Sequence, residues 1–409
     1  MNLLLTGPRD GGKSTVVTRA LELLPEARAG GYLTKRIGPR AQPEGHLLRD
    51  LSGPERIIAH RDFTDGPRFG PFRVDLDAFE TTGGAALKTA RESADLIVAD
   101  EIGRMEEGAQ SFRAELMACL DSPRPFLAAL SDRGGEVVQA ILARDDVRVI
   151  EVTDASRAVL PTAIATLLRH DLFGAAAFDL PACTGVILAG GRGSRLSPDK
   201  GWLEVGDIAI VERAYAAIRP LVSQLLVAGD PEVAERLDAG WAADEISDAG
   251  PLAGIAGALR AASAPLILVA AWDMPFLSPS LGAYMLGLAG DQRPRPREAG
   301  REEKRDGPGR GQALGWMRGF DAVAPRTDQG AEPLFAVYGR TCLEPARDIL
   351  AAGGRRPQRL LEAVNTRWVE GPELAAFGDP EVLFFSANTP EDLEQAREIA
   401  ASQARLREH

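Results

Sequence analysis

Residues 186–205, VILAGGRGSRLSPDKGWLEV, constrain the fold of this chain more than any other stretch. Val186, Ile187 and Leu188 carry an apolar run into Ala189, Gly190 and Gly191. Arg192, Gly193, Ser194 and Arg195 follow, and then Asp199 and Lys200. A buried strand ending in adjacent glycines presents bare backbone N–H groups, which can approach a phosphate chain without side-chain hindrance. Arg195 offers that anion a guanidinium fork and Lys200 a point charge. The plainer reading is a glycine turn flanked by solvated basic residues. The order strand, paired glycines, arginine, Asp-Lys is far more particular than a lone G-x-G.

A second glycine loop stands near the start of the chain. Asn2 to Thr6 form a short apolar strand, and Gly7-Pro8-Arg9-Asp10-Gly11-Gly12-Lys13-Ser14 follows at once. This fits G-x-x-x-x-G-K-[ST], with Val16, Val17, Leu21 and Leu24 predicting a helix over 14–24. Gly7, Gly11 and Gly12 open the loop, and the amides through Thr15 face the phosphates. Lys13 reaches the β- and γ-oxygens, and Ser14 ligates Mg²⁺. Asp10 adds a carboxylate that must point away from the anion. A second apolar strand, 96–99, ends in Asp100-Glu101. Carboxylates at the C-terminal end of a parallel strand handle ligands in α/β folds. Asp100 is the expected member of the Mg²⁺ shell and Glu101 the residue that orients an attacking water, the alternative being an acidic pair that caps a helix. Arg133 could offset transition-state charge, though a solvated arginine is the simpler account.

At 409 residues the chain has room for two ordinary domains. We read 1–170 as the P-loop unit, 171–183 as a linker and 184–409 as the second domain. The pattern predicts helices over 77–91, 110–121, 136–143 and 157–170, with strands over 126–130 and 147–152. That describes an α/β sandwich with no insertion large enough for a second substrate lid. The second domain is predicted to hold a helix over 208–218 and a strand over 225–228. A turn at 250–254 leads a helix to 262, and a very apolar strand, 265–271, delivers Asp273. Strands over 321–325 and 334–338 and helices over 343–352 and 357–364 follow. A strand ends at Asn388, with Thr389 as N-cap and Pro390 at the first helical position. Residues 291–319 are rich in Arg, Pro, Gly and Glu and read as a disordered insertion.

The net charge of −12 argues against a nucleic-acid binder, so an anionic substrate needs local basic residues. Three scattered cysteines indicate no disulfide framework, and four histidines show no zinc spacing. No signal peptide and no membrane-length apolar run is evident, so the expected compartment is the cytoplasm, with no membrane partner.

The 186–205 stretch resembles the signature of the molybdenum cofactor guanylyltransferases, within the wider nucleotidyltransferase superfamily. Gly250-Pro251-Leu252-Ala253-Gly254, Trp272-Asp273-Met274-Pro275 and Asn388-Thr389-Pro390-Glu391-Asp392-Leu393 resemble further motifs of that family, from about Cys183 to Ala401. The resemblance implies a Rossmann-like, GT-A-like α/β domain that transfers GMP from Mg·GTP to molybdopterin carrying molybdenum. In it Leu188, Ala189, Gly190 and Gly191 cradle the triphosphate, and Arg195 and Lys200 offset its charge. Asp273 binds Mg²⁺, while Asp244 and Asn388 contact substrate. Leu-Ala-Gly-Gly implies GTP, where CTP-using relatives carry Leu-Ala-Ala-Gly. Glu332-Pro333-Leu334 resembles the segment lining the pterin side. Three positions depart from the family pattern: Trp272 stands where Cys is frequent, Ser386 where a second Asn is usual, and Gly229 near a usual Asn.

Gly30-Gly31-Tyr32-Leu33-Thr34-Lys35, Phe72-Arg73-Val74-Asp75 and Ala99-Asp100-Glu101-Ile102-Gly103-Arg104-Met105-Glu106 together resemble the small THEP-type nucleoside-triphosphatases. That implies hydrolysis of ATP or GTP by the first domain. Ala129-Leu130-Ser131 departs from a Thr and a His frequent there. The alternative is a cytidylyl or other phospho-acceptor transferase whose first domain is a nucleotide-binding switch or docking module. Recipient molybdoenzymes or cofactor-delivery proteins are the implied partners.

Overall fold

The computed structural model describes residues 1–39, 41–132, 134–190, 200–290 and 319–408. Gly191, Arg195 and Arg133 lie outside them, as does the 291–319 insertion except Gly319. Two units are formed: Met1–Gly174 together with the C-terminal residues from Ala404, and Ala175–Gln403.

In the first unit nine strands make one sheet: β1 (Asn2–Thr6), β2 (Ala29–Ile37), β3 (Gly45–Asp50), β4 (Glu55–His60), β5 (Arg68–Phe69), β6 (Phe72–Val74), β7 (Leu96–Ile102), β8 (Phe126–Leu130) and β9 (Val147–Glu151), in the order β5-β6-β4-β3-β2-β7-β8-β1-β9. β2, β7, β8, β1 and β9 run parallel. Leu3, Leu4 and Leu5 are fully buried, as are Leu96 to Ala99. Continuous apolar runs of this kind suit central parallel strands covered on both faces. The expected sandwich is therefore present, but it is extended by an antiparallel arm, β3 to β6, that the sequence reading did not foresee. The arm alternates weakly, as the exposed Ile57 in β4 illustrates, so its period-2 signal is faint.

The helix expected over 77–91 starts at Leu76–Ala78, winds as a π-turn over Phe79–Gly84 and resumes as Ala85–Ser93. Gly83 and Gly84 pass under the Phe112 ring and backbone, where the wider turn fits. Residues 171–173, read as linker, continue the helix Leu160–Phe173, which Gly174 closes at φ 71°.

The second sheet holds β10 (Cys183–Ala189), β13 (Gln224–Gly229), β14 (Gly240–Ala242), β15 (Leu266–Ala271), β16 (Ala322–Thr327), β17 (Gly330–Ala331), β18 (Phe335–Gly339) and β19 (Thr366–Glu370). A separate ribbon pairs β11 (Glu204–Val205) with β12 (Ile208–Ala209). The main order is β14-β13-β10-β15-β18-β16-β17, with β19 on β16. β14, β13, β10 and β15 are parallel; β18 runs against β15, and β16, antiparallel to β18, returns to the direction of β15. β10 lies between β13 and β15, the kind of position where α/β sheets open a ligand crevice beyond the strand ends.

Two expectations need correcting here. The helix over 208–218 begins only at Ile210, because Gly206 at φ 66° turns a hairpin that takes Ile208 and Ala209 into β12. No strand forms over 384–388. Pro380–Leu383 is a short helix, and Phe384 and Phe385 pack their rings against Phe335 and Phe276 instead of joining the sheet. A buried triad closes this end: Tyr284 donates to Glu373 at 2.5 Å and Arg367 pairs with the same oxygen at 2.5 Å.

Candidate active sites

In the first unit the glycine loop leaves β1 and ends at the helix Lys13–Glu22. Gly7 sits at φ 132°, and a Cβ there would fall 2.5 Å from the Val152 carbonyl oxygen, so this position admits only glycine. Lys13 Nζ donates to the carbonyls of Gly7 at 2.8 Å and Pro8 at 3.1 Å. Asp10, at φ 61°, pairs with Arg36, which answers the question its charge raised.

Asp100 is fully buried at the end of β7. Its Oδ2 accepts the Thr34 amide at 3.1 Å, while its Oδ1 has no hydrogen-bond partner among the described residues. Burial raises its pKa to about 6; the Ser14 hydroxyl and the Thr34 groups act in the opposite direction, and the Glu101 charge adds to the rise. A buried carboxylate with an orphaned oxygen beside the Ser14 hydroxyl fits a hard cation of the Mg²⁺ type.

Glu101 adopts φ 66°, left-handed for a residue with a side chain, at a cost on the order of 1 kcal/mol. Thr34 Oγ1 lies 3.1 Å from both Asp100 Oδ2 and Glu101 Oε2 and shares its one proton between them. Glu101 lines a cavity of about 30 Å³ with Arg9, His46, Ser131 and Asp132. That volume admits one or two waters. Ser131 donates its amide to Ile102 at 2.7 Å, so the departure at 129–131 still closes the cavity.

Thr34 and His46 were not assigned roles from the sequence. Thr34 was legible only as part of a motif, and its contact with Asp100 and Glu101 follows from the β2–β7 pairing. His46, almost fully buried with its pKa lowered chiefly by burial, arrives on the unforeseen arm and gave no signal.

Glu106 closes the loop after β7 and is fully buried. Burial raises its pKa from 4.5 to about 7. The folded carboxyl keeps its proton up to that pH while the unfolded chain releases it near 4.5, so its stabilising contribution is complete below 4.5 and is lost as pH rises through 7. Between pH 5 and 7 this amounts to about 2 kcal/mol. Urea titrations across that interval should show a stability slope in the first domain that Glu106→Gln flattens; an equal slope in both proteins would refute the assignment.

In the second unit the backbone joins three of the residues singled out from sequence. Trp272 donates to the Leu188 carbonyl at 3.2 Å, bringing Asp273 beside the end of β10. Ala387 donates to the Asp273 carbonyl at 3.0 Å, bringing Asn388 to the same edge. Asn388 precedes a capped helix: Asp392 Oδ2 accepts the amides of Asn388 and Thr389, and Thr389 Oγ1 accepts that of Asp392.

Lys200 opens a short turn, Lys200–Trp202, in which a Cβ on Gly201 would meet the Trp272 ring at 2.4 Å. Gly201 therefore packs closely against the ring of Trp272, the residue directly before Asp273. Asp244 lies beside the start of the helix Pro251–Ala261, since Glu245 donates to Ala253 at 3.0 Å. Its buried Oδ1 has no hydrogen-bond partner among the described residues, and burial raises its pKa, with Asp248 adding to the shift. Glu332, half-buried, is raised by burial to about 7, and two residues on, Leu334 accepts the Ala271 amide at 2.9 Å.

Gly229 explains why no asparagine stands there. Its φ is 103°, and a Cβ would lie 2.1 Å from the Ala189 carbonyl oxygen. Gly229→Ala is expected to cost the second domain about 3 kcal/mol through strain and forced separation of β10 and β13. Denaturant unfolding checks this, and a wild-type transition would contradict so close an approach.

Each sheet thus ends in its own phosphate-handling edge, which defines a two-domain nucleotide enzyme: a P-loop nucleoside-triphosphatase followed by a nucleotidyltransferase. Residues 2–165 match the NTPase family model and residues 185–368 the MobA-like NTP transferase domain. The probable molybdenum cofactor guanylyltransferase of Pelotomaculum thermopropionicum is 34% identical over 53% of this chain and 93% of its own length. The nucleoside-triphosphatase THEP1 of Thermofilum pendens is 35% identical over 40% of this chain and 93% of its own length. The crystal structure of molybdopterin-guanine dinucleotide biosynthesis protein A from Archaeoglobus fulgidus is 26% identical, with a TM-score of 0.40, covering 54% of this chain and 99% of that one. The chain belongs to both families, a THEP1-type nucleoside-triphosphatase fused to a MobA-like molybdenum cofactor guanylyltransferase domain. No helix among the described residues is long and apolar enough to cross a membrane.

Proposed function

We propose that the second domain transfers GMP from GTP to the terminal phosphate of molybdopterin carrying molybdenum. An acceptor phosphate oxygen attacks the α-phosphorus, a new phosphorus–oxygen bond forms, and pyrophosphate leaves. The observation that carries this reading is the backbone joining of Leu188, Asp273 and Asn388 at one sheet edge. The amides after Leu188 cradle the triphosphate, and Arg195 and Lys200 offset charge on the leaving group. Asp244 and Asn388 hold the nucleotide and the acceptor. The acceptor supplies its own nucleophile, so positioning and charge neutralisation suffice.

The first domain, on the same proposal, hydrolyses ATP or GTP. Lys13 and the loop amides bind the phosphates, and Glu101 orients a water in the cavity that it lines. Magnesium, held by Ser14 and Asp100 in the first domain and by Asp273 in the second, would supply charge neutralisation at the phosphate oxygens. Three buried free thiols, Cys119, Cys183 and Cys342, suit a reducing, cytoplasmic setting.

The two reactions release different products, so one preparation of the full chain tests both. With Mg²⁺, Mo-molybdopterin and GTP, pyrophosphate should appear only when the acceptor is present, whereas phosphate should appear without it. Pyrophosphate with CTP in place of GTP would overturn the guanylyl assignment.

A further inference from the structure

The loop from Glu101 to Glu106 poses a mechanical problem. Glu101 is held left-handed, and the backbone must then turn sharply so that Gly103 passes Ser131. A Cβ on Gly103 would lie 2.6 Å from Ser131 Cβ, so the loop is pressed against the end of β8. The Ser131 amide fixes Ile102 from that side. From the other side Glu106 Oε1 accepts the Gly103 amide. The Glu106 carbonyl accepts the Ala109 amide at 2.9 Å, which anchors the far end of the loop.

Glu106 is 0% exposed, and its Oε2 has no partner among the described residues. The Tyr32 hydroxyl, 1% exposed on neighbouring β2, is likewise without one, and of the three carboxylates that act on this phenol Glu106 acts most strongly. Tyr32 pairs in register with Ala99, directly before Asp100. A buried carboxyl spending one oxygen on a single loop amide is a costly way to stabilise a fold, since an apolar residue of similar size would leave no orphaned oxygen. What the carboxyl provides that an apolar residue cannot is an acceptor for the amide two residues after Glu101.

We propose that Glu106 is a positioning residue of the triphosphatase site: by accepting the Gly103 amide it holds Glu101 in its left-handed conformation, aimed at the water cavity. The role rests on the hydrolytic reading given above. It needs an acceptor oxygen, not a negative charge, so glutamine should replace it and an apolar residue of the same length should not.

Two readouts on the full chain test this. The first does not depend on hydrolysis: amide hydrogen exchange of the segment 101–106. Protection in wild type and in Glu106→Gln, with exchange at least about 10-fold faster in Glu106→Met, is the expected pattern; equal protection in all three overturns the proposal. The second is steady-state phosphate release. Glu106→Met should lower kcat on the order of 10- to 100-fold with KM within about 3-fold, as expected when a catalytic group is misaimed while binding persists. Glu106→Gln should stay within about 3-fold of wild type in both parameters, with the pH–rate profile unchanged. A kcat loss in Glu106→Gln as large as in Glu106→Met, or a rise in KM that accounts for the whole loss, overturns it. Should Glu106→Met fail to fold, Glu106→Gln still decides, because a kcat drop beyond about 10-fold contradicts a role that needs only an acceptor. Absence of phosphate release from wild type would overturn the hydrolytic reading, with the exchange result then deciding the loop's anchor by itself.

Discussion

Asp273→Ala is expected to lower acceptor-dependent pyrophosphate release on the order of 10³-fold, the scale lost when a preorganised electrostatic group is removed from a polyphosphate reaction. The carboxylate stands one residue beyond Trp272, whose amide is fixed to Leu188, and its own carbonyl receives the Ala387 amide. Both tethers are backbone bonds, so truncation should leave these two joins in place while removing the carboxylate. Asp273→Asn makes the stricter test, preserving shape while losing the negative charge, and it should fall nearly as far. Phosphate release by the first domain serves as the internal control in the same tube. Pyrophosphate release within 10-fold of wild type in both variants would remove Asp273 from the metal-binding role.

Glu101→Gln should lower phosphate release about 10²- to 10³-fold, the range associated with loss of a general base, with KM within about 3-fold. Glutamine retains an oxygen for Thr34 and bears the same left-handed strain, so the local conformation is conserved and only basicity is lost. Nucleotide binding, carried by Lys13 and the loop amides, should persist. An unchanged rate would leave Glu101 as a structural partner of Thr34 and no more.

Both of these carboxylates were legible in the sequence because each sits at the end of a continuous apolar strand, a local signal that needs no knowledge of partners. The same holds for the loop at 7–14, where motif and flanking elements agree. What was not legible depends on pairings between distant segments. Thr34 meets Asp100 and Glu101 only because β2 lies beside β7, and His46 reaches the cavity lined by Glu101 only because β3 pairs with β2. The run at 384–388 reads as a strand by composition, yet its phenylalanines are consumed in ring packing and its backbone is tied to Asp273. The partnerless oxygens of Asp100 and Glu106 are likewise beyond any pattern, since burial of a single atom is a property of the assembled fold.

Among the described residues neither sheet borrows a strand from the other: the first is built from β1 to β9 and the second from β10 and β13 to β19. Each sheet is thus built from its own stretch of the chain, yet both are translated from one message and removed by one degradation event. Their numbers are locked at one to one, so a cell cannot rebalance the two activities through dosage. Any shift in their ratio has to come from the sites themselves, by substitutions that tune one turnover rate and leave the other alone.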